Sequence, residues 1–242
     1  VWYGPPATVV MAAFAAGLMA WEWGRLIGRP GRTRDTALMV GTATAAVLTA
    51  GFASVAAGMV IPVAGIVALA LVGNRRRLGW TALGMAWIIL PSIGFNWLRA
   101  EPSGLRIVLW LLALVWSIDI AAYAVGRTIG GPKLAPRISP NKTWSGLLGG
   151  IAAAMLVGLA TGWFYETGSP WRMMLLSGGL AVVEQIGDIA ESLVKRRFGA
   201  KDSGSLIPGH GGLLDRLDGM LAVVAAVTLL TLFADGTIVT WR

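Results

Sequence analysis

The sequence of 242 residues has no cysteine and a single histidine. The absence of cysteine excludes a disulfide framework, a thiolate nucleophile and cysteine-ligated zinc, so any metal must bind oxygen ligands or His210. Charged residues are also scarce, at 13% of the chain, whereas an ordinary soluble domain carries about a quarter. This scarcity excludes a typical soluble fold and indicates a membrane protein.

What the chain has in abundance supports that conclusion. Hydrophobic residues make up 56% of the sequence, with 12 tryptophans and 33 glycines. Tryptophan favours the membrane interface, and glycine lets transmembrane helices approach closely. The net charge of +8 is interpreted as loop charge that sets orientation, so no nucleic-acid partner is expected. The chain begins at Val1 without a methionine, and we expect its natural N-terminus to lie upstream.

Segments of about 20 residues with few charges predict eight transmembrane helices. The 37 uncharged residues from Thr36 to Val72 are too many for one crossing, so we divide them at a turn near residues 51–54. The predicted fold is therefore an all-α, polytopic helical bundle. The spans are 6–26, two within 36–72, 78–98, 104–126, 143–164, 171–195 and 218–234.

The basic residues predict the orientation of this bundle. When successive loops are assigned to alternate sides, 16 of the 20 Lys and Arg residues fall on one side, which the positive-inside rule makes cytoplasmic. Both long loops, 127–142 and 196–217, lie on that side. We expect residues 1–104 to be structural helices that contact lipid or a second subunit, and residues 105–242 to form the catalytic region with its two cytoplasmic loops.

Several acidic residues interrupt the predicted spans. Because a charge in the bilayer is costly, each indicates either function or a structural ion pair. Three of them are spaced with Lys195 at i, i+4, i+7 and i+11, which places them on one helix face, and Ser192 lies one turn beyond Asp188. The five acidic residues are Glu22, Asp119, Glu184, Asp188 and Glu191.

The segment 195–219 follows this acidic helix and is dense in glycine and charge. Its glycines allow a close approach of the backbone to a ligand, and its Lys and Arg residues supply cations for phosphate. Asp215 and Asp218 open the last predicted helix, where carboxylates also serve as simple partners of the helix dipole. Together with Asp188 they are candidates for binding a divalent cation such as Mg²⁺.

The residues of this region resemble the signature of phosphatidate cytidylyltransferases, also called CDP-diacylglycerol synthases. Two further stretches are similar to other motifs of that family: Asp119 to Arg127, with Tyr123 and Gly126, and Ser139 to Trp144. Ser145 departs from a glutamate that is common after the tryptophan. The likeness covers about residues 105–220, and the first hundred residues match only as hydrophobic helices. The matching signature positions are Ser192, Lys195, Arg196, Lys201, Asp202, Gly204, Ile207, Pro208, His210, Gly211, Gly212, Asp215, Arg216, Leu217 and Asp218.

The resemblance implies that a phosphatidate oxygen attacks the α-phosphorus of CTP, giving CDP-diacylglycerol and pyrophosphate for phospholipid biosynthesis. It implies Mg²⁺, with a second cation left open, and a homodimer. We expect the protein in the bacterial inner membrane, with its active site on the cytoplasmic side that the basic loops indicate. Asp188, Asp215 and Asp218 correspond to the metal carboxylates. The other site residues are as follows: near the reacting phosphates, Ser192, Lys195, Arg196 and His210; for nucleotide or phosphate, Ser139, Lys142, Thr143, Lys201, Gly211, Gly212 and Arg216; for the lipid site, Asp119, Tyr123, Glu184 and Glu191.

Some of these roles have alternatives. His210 could donate to a phosphate, transfer a proton or fix the loop, Tyr123 could make a structural hydrogen bond, and Lys142 could be ordinary positive-inside charge. Three other protein classes fit the sequence less well. CTP-dependent lipid kinases lack the signature, CDP-alcohol phosphotransferases carry a different acidic run, and an ion-coupled transporter would use the membrane carboxylates without the glycine-rich cationic loop.

Overall fold

The computed structural model describes residues 4–28, 33–73, 77–206 and 211–233. Within these ranges the chain forms eight α-helices, each long and apolar enough to cross a membrane, and one two-stranded hairpin. The predicted bundle of eight spans is confirmed, whereas the hairpin was not predicted. The elements are α1 (Pro5–Ile27), α2 (Thr33–Phe52), α3 (Val55–Val72), α4 (Leu78–Ala100), α5 (Gly104–Thr128), β1 (Lys133–Ala135), β2 (Ser139–Thr143), α6 (Trp144–Phe164), α7 (Pro170–Arg197) and α8 (Leu214–Phe233).

The long uncharged segment divides where the sequence predicted. Helix α2 ends at Phe52 and α3 begins at Val55. Between them, the Ser54 hydroxyl accepts a hydrogen bond from the Ala57 N–H at 3.1 Å, which satisfies one of the free amides at the start of a helix. The cap gives a physical reason for a new helix at this point.

Helix α8 begins at Leu214, four residues before the predicted span. The prediction counted uncharged residues and therefore excluded the first turn, which contains Asp215. A carboxylate in the first turn is favourable because it faces the positive end of the helix dipole. The early start places Asp215 inside the helix.

The chain divides into two compact units, and the first contains residues 1–100 and 197–217. Its helices α1 to α4 pack on one another, and Trp23 of α1 is buried, at 2% exposure. The indole Nε1 of Trp23 donates to the Trp80 carbonyl at 3.0 Å. Gly84 lies against the same ring, so a Cβ there would collide with the indole. Small and large residues thus interlock α1 with α4.

The second unit contains residues 101–196 and 218–242. Helices α5 and α6 pack closely where Gly126 faces Gly146, and the Trp110 Nε1 of α5 donates to the Ser177 hydroxyl of α7 at 3.2 Å. The β1–β2 hairpin connects α5 to α6. The two units are defined by packing, whereas the boundary predicted near residue 104 separates structural helices from a catalytic region. That boundary therefore stays a prediction.

Candidate active site

Helix α7 carries the acidic and basic residues of the predicted stripe, and most of their side chains are buried. Glu184, Glu191, Ser192 and Lys195 are each less than a tenth exposed. Lys195 Nζ lies 2.8 Å from Glu191 Oε2, and the Ser192 hydroxyl donates to Asp188 Oδ1 at 3.2 Å. Pairing of this kind offsets the cost of burying charge, and it fixes where the lysine and serine point.

Strand β2 brings a second motif to this helix. Lys142 Nζ forms an ion pair with Asp188 Oδ2 at 2.5 Å and donates to Gln185 Oε1 at 3.0 Å. The strand ends at Thr143, whose hydroxyl accepts the Gly146 N–H at 3.1 Å and caps α6. Because the cap fixes the end of β2, it also holds Lys142 against α7.

A chain of hydrogen bonds continues along α7 to a buried acid. Gln185 Nε2 donates to Glu184 Oε2 at 2.7 Å, and Glu184 packs against Gly219 of α8, where a Cβ would lie 2.6 Å from Oε1. Gln185 was missed by the sequence analysis, which searched the spans for ionisable residues only. A polar amide next to a glutamate inside an apolar helix was the available signal.

Three carboxyl groups of the second unit lie near one another. Asp218 hydrogen-bonds with Glu191 and is close enough to Asp188 to interact with it electrostatically. Ionised carboxylates this close repel each other unless a cation or a shared proton lies between them. Mg²⁺ needs only one or two protein carboxylates and takes its remaining ligands from water and phosphate, so Asp188 and Asp218 fit such an ion. Among the residues described, no group of three or more His, Asp or Glu side chains is arranged to hold a metal ion.

The base of the hairpin is held by hydroxyl groups. Ser145, which stands where a glutamate was expected, donates to the Gly130 carbonyl and shares a hydrogen bond with the Thr143 hydroxyl at 3.0 Å. Gly130 and Gly131 have φ angles of 66° and 102°, a region that favours glycine. Ser145 therefore supports the turn that leads into the hairpin, a role that a short hydroxyl side chain can fill.

Other predicted residues of this unit are more exposed. Ser139 is half-buried at the start of β2, and Arg196 is exposed, with its Nε donating to the Ile138 carbonyl at 3.3 Å. Asp119 and Tyr123 lie on the exposed side of α5. Asp119 interacts electrostatically with Glu184, and the Tyr123 hydroxyl accepts from Arg127 at 3.4 Å. These contacts link Asp119 to the buried acid and support a structural role for Tyr123.

The first unit holds the glycine-rich loop. Asp215 accepts backbone hydrogen bonds from Ser203 N at 2.9 and 3.0 Å and from Gly212 N at 2.7 Å. Gly211 has a φ of 82°, which disfavours a side chain. Lys201 and Arg216 are exposed. Asp215 thus cross-links the loop.

The structure leaves untested the predicted role of His210 and the predicted metal centre of three carboxylates. His210 and the neighbouring residues 207–209 lie outside the described residues. Asp215 belongs to the first unit, whereas Asp188 and Asp218 belong to the second. The three-carboxylate metal centre therefore stays a prediction.

Comparison with known proteins adds a family likeness over nearly the whole chain. A family model described as the cytidylyltransferase family matches residues 1–234, including the helices that the motif resemblance did not reach. The phosphatidate cytidylyltransferase of Brucella suis biovar 1 (strain 1330) is 51% identical over 172 residues, covering 71% of this chain and 63% of the relative.

More distant relatives carry the same name. The phosphatidate cytidylyltransferase of Staphylococcus epidermidis (strain ATCC 35984) is 39% identical over 159 residues, covering 65% of this chain and 61% of the relative. That of Rickettsia bellii (strain RML369-C) is 39% identical over 146 residues, covering 57% and 63%. The match spans less than two thirds of the length of each of these relatives.

Proposed function

Because the chain belongs to the cytidylyltransferase family, we propose that it transfers CMP from CTP to phosphatidate, forming CDP-diacylglycerol and pyrophosphate. The observation that carries this proposal is the ion pair between Lys142 and Asp188. It joins two segments, β2 and α7, that separately resemble cytidylyltransferase motifs. A shared site explains why both motifs occur in one chain.

The reaction requires one P–O bond to form and another to break. A phosphate oxygen of phosphatidate bonds to the α-phosphorus of CTP, and the bond from that phosphorus to the bridging oxygen breaks, so the electron pair leaves with pyrophosphate. The attacking phosphate is already an anion near neutral pH, and no strong general base is needed. The main barrier is the repulsion between two polyanions.

Cationic side chains of α7 and β2 can offset the repulsion between the two substrates. Lys195 is held by Glu191 at 2.8 Å and Lys142 by Asp188 at 2.5 Å, so two ammonium groups are oriented before any substrate binds. Positioned cations stabilise charge on phosphate at no cost of reorganisation during the reaction. The Ser192 hydroxyl donates to Asp188 and would turn that single proton to a phosphate oxygen when substrate binds.

In this proposal Asp188 and Asp218 hold Mg²⁺, and Asp215 is the third predicted ligand. When bound, Mg²⁺ would neutralise charge on the triphosphate of CTP. The support is the closeness of the Asp188 and Asp218 carboxyl groups. A second cation is left open.

The proposed setting is the inner membrane of a bacterium, with the site on the cytoplasmic side, where CTP is dissolved and phosphatidate is held in the bilayer. The support is the excess of Lys and Arg in alternate loops. The proposed assembly is a homodimer, for which the support is the family resemblance. No nucleic acid takes part.

The test is a product assay with the full chain purified in detergent. With radiolabelled CTP, phosphatidate and MgCl₂, we expect CDP-diacylglycerol and pyrophosphate in equal amounts, no product after chelation by EDTA, and recovery when Mg²⁺ is restored. A phosphorylated lipid with CDP would instead indicate a lipid kinase. Ion-driven flux in liposomes without CDP-diacylglycerol would indicate a transporter, and either result would overturn the proposal.

A further inference from the structure

Glu22 is a carboxylate in a transmembrane helix, and it takes no part in the proposed reaction. It lies near the end of α1 and is fully buried, at 0% exposure. Its Oε1 accepts the Leu213 N–H at 2.9 Å, and its Oε2 accepts the Leu214 N–H at 2.8 Å. The two oxygens therefore accept the first amide of α8 and the amide of the residue just before it, at the end of a helix where N–H groups have no partner within the helix.

The loop that precedes α8 is packed directly against this carboxylate. A Cβ on Gly204 would lie 2.7 Å from Glu22 Oε1, and one on Gly212 would lie 2.5 Å from the same atom. These distances are far inside van der Waals contact, so only glycine lets the loop approach. The backbone at both glycines therefore packs directly against the Glu22 carboxylate.

A second carboxylate holds the same loop from within. Asp215 accepts the backbone N–H groups of Ser203 and Gly212, next to the amides bound by Glu22. Lys201 and Asp202 precede Ser203 in this loop, and Gly211 is the residue with the left-handed φ. Glu22 and Asp215 together hold residues 203–204 and 212–214 of this loop.

We propose that Glu22 is a positioning residue for the binding of CTP. It holds residues 201–206 and 211–214 of the loop in the conformation in which Lys201 meets the phosphates of CTP, while the Gly212 N–H stays bound to Asp215. This inference rests on the proposed function and adds to it a residue of α1, outside every motif of the C-terminal region. Hydrogen bonds from amides to a charged acceptor are stronger than those to a neutral one, which explains a carboxylate here.

The test compares Glu22→Gln, Glu22→Asp and wild type with each substrate varied in turn. Glutamine keeps the size but presents an NH₂ to one of the two amide donors, so we expect KM for CTP to rise about tenfold while kcat changes less than threefold and KM for phosphatidate less than twofold. Aspartate keeps both acceptor oxygens and should recover part of the loss. Glu101→Gln, on the α4–α5 connection, is the matched control and should behave as wild type.

The controls separate this inference from the proposed function. Wild type is assayed first, and failure to make CDP-diacylglycerol rejects the function itself. With an active wild type, the inference is wrong if the folded Glu22→Gln protein has KM for CTP within twofold of wild type, or if the KM values for both substrates rise together. Should Glu22→Gln fail to fold by thermal unfolding in detergent, Gly204→Ala perturbs the same contact with Glu22 intact, and the same limits on KM for CTP decide.

Discussion

The ion pair between Lys142 and Asp188 shows how one contact serves both stability and chemistry. The two side chains are 16% and 27% exposed, so water screens them only partly, and each would be costly to leave alone. Without substrate, each neutralises the other. With substrate, the lysine is already placed beside the acidic helix, where phosphates are expected to bind.

Replacing Lys142 by methionine should therefore damage catalysis severely. We expect kcat/KM for CTP to fall at least about 100-fold, which corresponds to about 2.7 kcal/mol, because the variant loses a cation for phosphate and leaves Asp188 without its partner. Steady-state kinetics in detergent measure the change. Lys133→Met is the matched control, since Lys133 is exposed on the other strand of the hairpin. A loss of less than threefold in Lys142→Met would contradict the assignment of Lys142 to the site.

At the level of elements, the packing of α7 on α8 depends on a single small residue. A Cβ at Gly187 would lie 2.5 Å from the Cβ of Ala222, so the two helices meet where α7 has no room for a side chain. Close helix approach through small residues is a general means of association in membranes, because lipid provides no hydrophobic force between helices. The same contact keeps Asp188 of α7 near Asp218 of α8.

Gly187→Ala should lower stability by about 1–3 kcal/mol, the usual cost of overpacking. Gly179→Ala is the matched control on the same helix, because its methyl group would meet no described atom within 4 Å. That control should be neutral or slightly stabilising, since alanine favours the helix by up to about 1 kcal/mol over glycine. Thermal unfolding in detergent distinguishes the two. Equal melting temperatures for the two variants would show that α7 and α8 do not require the close contact.

The elements also show how far the sequence could predict the fold. Hydrophobic length and charge predicted eight helices, and the structure divides the long uncharged segment at Ser54, whose side chain caps α3. The β1–β2 hairpin was not predicted, because it lies in a polar loop with no alternation of apolar residues. Helix spacing placed Glu184, Asp188, Glu191 and Lys195 on one face.

Pairings between distant segments could not be read from the sequence. Spacing along one helix says nothing about what lies opposite it, so the approach of Lys142 to Asp188 and that of Glu22 to Leu213 required the structure. Gln185 was not predicted as a site residue because it carries no charge. A charge within a predicted span identified Glu22 as unusual, but the sequence could not show which groups Glu22 binds.

At the scale of the whole molecule, the excess of Lys and Arg in alternate loops predicts the orientation in the membrane. The chain lacks cysteine, so an introduced cysteine is the only residue of this sequence that a maleimide would label as a thiol. In intact cells we expect Lys133→Cys in the β1–β2 hairpin to resist a membrane-impermeant maleimide, and Ser169→Cys between α6 and α7 to react. The two positions are separated by one crossing, α6. The reverse pattern would mean that the basic loops face outward.

The contact of Glu22 with the start of α8 also constrains how the protein is made. Leu213 follows Glu22 by 191 residues, so α1 enters the membrane long before the ribosome has synthesised the amides that its carboxylate will bind. During most of translation this acid has to be tolerated near the edge of the bilayer without those partners, a situation that costs free energy. Helix α8 therefore completes the hydrogen bonding of α1, and its arrival releases a cost that the nascent chain has carried since α1 was inserted.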